Sequence, residues 1–109
     1  MNELDTLNHL KNSGSYPTTP ASEAQIRYAN SILAKIFETH PHRRKTFLFE
    51  VWGIKSSSEL TRGMASAIID WSGAIKENGY QPSRESVTEA NAIVANAYVK
   101  DGQQALFGK

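Results

Sequence analysis

Cysteine is absent from the sequence, which excludes a disulfide scaffold, a Cys-ligated zinc site and a thiol nucleophile. No apolar run approaches the ~18 residues of a membrane-spanning helix, so no membrane contact is expected. The chain begins Met1-Asn2-Glu3-Leu4-Asp5, acidic and without a long apolar segment, and does not read as a secretory signal. A charge surplus of one sign is also missing. Twelve Lys and Arg stand against eleven Asp and Glu, which rules out an acidic tail and a histone-like polycation. Enzymatic signatures are lacking too: there is no G-x-S-x-G elbow, P-loop or H-E-x-x-H, and no local carboxylate pair reads as acid and base. The expectation is a cytoplasmic, non-catalytic protein with no cofactor, no metal and no small-molecule substrate.

What is present is a 109-residue chain that is 39% hydrophobic, enough for one domain with its own core. The apolar residues recur at helical spacing, and no stretch alternates as a strand would. The sequence predicts an all-α domain of four helices, with a fifth possible at the N-terminus.

Residues 1–20 read as a partly ordered arm that could still pack on the domain through Leu7, Leu10 and Tyr16. Leu4, Leu7 and Leu10 suit a short helix, and Asn12 to Pro20 is a loop rich in Gly, Pro and hydroxyl residues. The domain proper is expected over residues 21–102. Its first helix opens at Ser22, with Gln25 three positions later as a capping box, and runs to about Thr39. A second covers residues 42–52, with Gly53 as C-cap. A third starts at Thr61 and carries the stripe Met64, Ala65, Ile68, Ile69, Ala74 and Ile75 to Asn78-Gly79. Gly63 weakens its first turn by up to ~1 kcal/mol relative to Ala. The fourth opens at Pro82-Ser83, packs through Val87, Ala90, Ile93, Val94, Ala97 and Tyr98, and closes at Asp101-Gly102. Residues 103–109 form a tail.

Two stretches are familiar in combination. One is Thr19-Pro20-Ala21-Ser22-Glu23-Ala24-Gln25-Ile26-Arg27-Tyr28. The other is Val51-Trp52-Gly53-Ile54-Lys55-Ser56-Ser57-Ser58-Glu59-Leu60-Thr61, running into Ala65-Ser66-Ala67-Ile68-Ile69-Asp70-Trp71. Together, over residues 19–72, they resemble a small helical module of phage and mobile-element proteins. That module stands alone in regulators of the GemA type and is appended to phage recombination proteins such as those of the RecT and Erf kinds. The resemblance implies a setting in DNA metabolism within a bacterial host. It carries no catalytic residues.

Charge points to one corner of the chain. Residues 23–60 hold six Lys and Arg against four Glu, whereas residues 61–109 hold five of each sign. Arg43, Arg44 and Lys45 begin the second helix, where the helix dipole disfavours cations by a few tenths of a kcal/mol each. An external anion such as DNA phosphate would repay that placement. Arg27, Lys35 and Lys55 complete the candidate nucleic-acid set, predicting weak, non-specific and salt-sensitive binding. The competing view is a solvated basic turn paired with Glu38 or Glu50. His40 and His42 lack the spacing of a metal site. Among the aromatics, Phe49 alone falls off the core stripe, and is expected to be exposed beside the basic turn.

The tail supplies a second candidate. Gln103-Gln104-Ala105-Leu106-Phe107 resembles the bacterial sliding-clamp-binding peptide, in which an extended tail places Leu and Phe in an apolar pocket while Gln hydrogen-bonds nearby. Gln103, Leu106, Phe107 and the exposed Phe49 are therefore candidate partner-binding residues. Alternatively, Leu106 and Phe107 fold back onto the bundle. Two functions stay open: an accessory in DNA replication or recombination that touches nucleic acid or a replication protein, and an inhibitor of a host defence or DNA-processing machine that does not touch DNA.

Overall fold

The computed structural model describes residues 3–38 and 40–107, with side chains described for residues 4–38 and 40–100. Among these the chain is all-α: five α-helices, two short 3-10 turns and no strand. The helices are α1 (Glu3–Ser13), α2 (Glu23–Ile36), α3 (Pro41–Trp52), α4 (Arg62–Ser72) and α5 (Arg84–Phe107). Among the described residues no helix is long and apolar enough to cross a membrane.

Local chemistry sets most helix starts. The Gln25 amide donates to Ser22 Oγ at 3.1 Å, and the Ser22 amide donates to Gln25 Oε1 at 2.9 Å. This reciprocal box satisfies two amides that a helix start otherwise leaves open. Thr61 Oγ1 accepts from the Met64 amide at 3.1 Å, and Ser83 Oγ from the Ser86 amide at 3.1 Å, so α4 and α5 also begin at hydroxyl caps. Pro41 opens α3, where its missing N–H costs nothing and its fixed φ already suits the helix. Gly53, at φ +70°, ends α3.

The core lies where the helices converge. Ala29, Ile32, Leu33 and Ile36 of α2 meet Phe47, Leu48 and Val51 of α3, Ile68 of α4, and Ala90, Ile93 and Val94 of α5. Phe47 sits centrally: its ring centroid is 5.6 Å from Phe37 and 5.7 Å from the stacked Trp71. Fully burying one such side chain stabilises the fold by about 1.5–3 kcal/mol.

Three expectations are corrected. First, the arm packs on the domain through Leu7 and Leu10 as expected, but not through Tyr16. Thr6 and Leu10 are fully buried. The Thr6 hydroxyl donates to the Glu89 carboxylate, which also accepts from Trp71 Nε1 at 3.3 Å. One half-buried side chain of α5 thereby fastens α1 and α4. The following loop is pinned as well, with Arg62 N–H to Thr19 O at 2.8 Å, Gly63 N–H to Pro17 O at 3.0 Å and Ala21 N–H to Leu60 O at 3.0 Å. Gly63 therefore has another role than weakening a helix: a Cβ there would overlap the Tyr16 backbone carbonyl. Tyr16 keeps its ring outside, 78% exposed.

Second, α4 stops at Ser72 rather than near Asn78-Gly79. Gly73 takes the left-handed conformation at φ +70°, and Ser72 Oγ accepts the Ala74 amide at 3.2 Å. Ala74 stays buried, but Ile75 turns outward. Third, α5 does not close at Asp101-Gly102 and its backbone stays helical through Phe107. A glycine inside a helix costs ~1 kcal/mol but does not end it, and Gln, Ala and Leu beyond it are good helix formers.

Candidate nucleic-acid interface

The start of α3 carries no acidic residue, and no side chain caps it at His40. Arg43 and Lys45 are exposed and Arg44 is half-buried. One turn beyond Lys45 on the same face is Phe49, a residue 54% exposed, as expected. Gly53 then reverses the chain and brings Lys55 back toward α3. Lys45, Thr46, Phe49, Glu50 and Lys55 line one depression of about 310 Å³. Nearby, Glu59 Oε2 accepts the Lys55 and Ser56 amides at 2.8 and 3.0 Å. Two ammonium groups and an open aromatic face thus oppose Glu50 alone among the lining residues.

The six expected cations do not form one patch. Arg43 and Arg44 stand on the first turns of α3 but do not line the depression. Lys35 is turned elsewhere: its ammonium donates to the Gly79 carbonyl at 2.7 Å and to the Tyr80 carbonyl at 3.3 Å. Arg27 lines a separate groove of about 300 Å³ with Ala24, Tyr28, Ser31 and Tyr80. Arg27, Ser31 and Lys35 recur every four residues and share one face of α2, which meets the loop after α4.

That second groove was not foreseen. Tyr28 is half-buried, and its hydroxyl donates to the Ala74 carbonyl at 3.1 Å. Burial raises its phenol above the ordinary range, and Tyr80 and then Glu77 add to the rise. Tyr80 meets it edge-on, with ring centroids 4.8 Å apart. The only advance signal was Asn78-Gly79, a turn pair standing just before an aromatic. Tyr98 likewise escapes the core: it is 39% exposed and stacks on His42 at 6.4 Å.

The extended tail is corrected in backbone terms, since residues 103–107 are helical. The side chains of Gln103, Leu106 and Phe107, on which docking or fold-back turns, lie outside the described residues. Among the described residues no three His, Asp or Glu side chains gather as metal ligands. No family model, curated protein or solved structure matches the chain.

Proposed function

We propose that this chain is a non-catalytic binding protein that contacts single-stranded nucleic acid through α3, as an accessory to DNA replication or recombination of a phage or mobile element. One observation carries the reading: an exposed Phe49 flanked by Lys45 and Lys55 in a single depression. Base stacking on an aromatic face beside cations is the recurring means of holding single strands without reading their sequence. Arg43 and Arg44, on the preceding turn of the same helix, extend the cationic track. The resemblance of residues 19–72 to a phage DNA-metabolism module supports the setting.

Fluorescence anisotropy with a labelled oligothymidylate and with a duplex tests it. The single strand should bind better, and with about four phosphate contacts its affinity should fall about 50-fold between ~50 and ~200 mM salt. Phe49→Ala should weaken single-strand binding about fivefold or more. Lys45→Glu with Lys55→Glu should abolish it with the helical content unchanged. Absence of binding at ~50 mM salt would discard the proposal and leave a protein partner as the target.

A further inference from the structure

We infer that the groove between α2 and the loop of residues 75–81 takes a nucleotide of a bound single strand, its base against Tyr80 and Tyr28 and its phosphate beside Arg27. The inference rests on the chain being a single-strand binder, but its evidence comes from other residues.

Tyr80 is the starting point. It follows Gly79 at φ +68° and itself adopts φ +59°, a conformation uncommon for a bulky residue. Such strain persists only where surrounding structure over-determines it, and it concentrates at functional positions. Here the surroundings are explicit. Asn78 Oδ1 accepts the Ile75 amide at 3.0 Å and the Gln81 amide at 3.2 Å, while its Nδ2 donates to the Gly73 and Gln81 carbonyls at 3.3 Å. The Tyr80 amide donates to the Ile75 carbonyl at 2.8 Å. Lys35 then clamps the Gly79 and Tyr80 carbonyls from α2.

The restraint leaves Tyr80 37% exposed while its ring packs edge-on against Tyr28. What it achieves is a fixed aromatic wall. With Tyr28 held by the Ala74 carbonyl, both rings line the groove, Ser31 offers a hydroxyl, and Arg27 supplies the cation. Planar aromatic surface plus a guanidinium matches the two halves of a nucleotide. A volume of about 300 Å³ stands at the small end of ligand pockets, and so suits a splayed single nucleotide and not a duplex. Lys35 is a positioning residue: it holds the Tyr80 turn and does not need to touch the strand.

Backbone amide shifts of the full chain, recorded with an oligothymidylate of ~8 nucleotides and separately with thymidine monophosphate, test this. The oligonucleotide should move the amides of Arg27, Tyr28, Ser31 and Tyr80 together with those of Lys45 to Lys55. Tyr80→Gly, which relieves the backbone while removing the ring, should weaken oligonucleotide binding about fivefold or more, and Tyr80→Phe should restore it. Arg27→Gln should weaken it and flatten its salt dependence by about one phosphate contact. Shifts confined to Lys45–Lys55 would overturn the second site and leave the first standing. Shifts confined to the groove would support the second site and sink the first. Movement of the groove by the mononucleotide but not by the oligonucleotide would overturn the strand assignment, and movement by neither would remove the site altogether.

Discussion

Phe49 and Tyr80 are both exposed aromatics beside cations, yet the molecule presents them by opposite means. Phe49 rides on α3, so its direction follows from helix geometry, and Thr46, Glu50 and two lysines line the depression with it. Tyr80 stands on a short loop, where direction is not free: Asn78 and Lys35 supply it through backbone hydrogen bonds and at the expense of an unfavourable φ. A helix-borne contact residue is therefore separable from stability, whereas a loop-borne one is not. Substitutions at the first surface should change binding alone, and substitutions around the second should change binding and folding together.

The largest test asks whether the two surfaces share one scaffold. Gly63→Ala places a Cβ against the Tyr16 backbone, which cannot yield as a side-chain tip would. It should lower unfolding free energy by about 3 kcal/mol, read by chemical denaturation, and should weaken both surfaces in parallel. Loss of one surface alone would show that they stand on separately stable parts. Next in size is Asn78→Ala, which strips four hydrogen bonds from the loop under Tyr80. At about 0.5–1.5 kcal/mol each, less the water that replaces some, it should cost about 2 kcal/mol in the same measurement. Phe49→Ala, in contrast, should leave the melting temperature almost unmoved; an equal loss of stability there would break the comparison.

Smaller effects sharpen it further. Lys35→Met keeps the aliphatic stem on α2 and removes the clamp on Gly79 and Tyr80. It should cost about 1 kcal/mol and weaken any ligand that meets Tyr80, while binding at Phe49 persists. The smallest is a pH effect at Tyr28. Its folded pKa is raised, first by burial and then by Tyr80 and Glu77, so the folded state keeps the phenolic proton that the unfolded chain gives up near the ordinary value of 10.0. The unfolded state then binds fewer protons, and stability falls as pH rises above that value. Denaturation at neutral and alkaline pH should show that decline, and Tyr28→Phe should reduce it.

Much of the fold was legible because helix starts and apolar stripes are local. Ser22 with Gln25, Thr61, Ser83 and Gly53 each act within four residues of themselves, and each terminates or opens a helix as its type requires. The exposure of Phe49 was legible for the same reason, from its place off the Phe47–Val51 stripe. The site was less so. Six cations close in sequence looked like one surface, but α2 and α3 point them differently, and Lys35 finds carbonyls more than forty residues away. Gly63 looked like a poor helix residue because its partner, the Tyr16 carbonyl, is invisible to any window along the helix. The stop at Gly73 was missed since Ala74 and Ile75 continue the helical spacing; the Ser72 hydroxyl that takes the Ala74 amide decides otherwise.

By itself, then, the sequence determined the all-α class, four of the helix beginnings and the basic–aromatic character of the α3 corner. These rest on periodicity, capping and the helix dipole, which act over a single turn. Only the tertiary structure decided that Thr6 of α1 reaches Glu89 of α5, that Gly63 is a seam, and that Arg27 and Lys35 serve a different groove from Lys45 and Lys55. Those outcomes depend on which backbone groups and ring faces meet across distant segments, and that meeting is fixed by close packing in three dimensions.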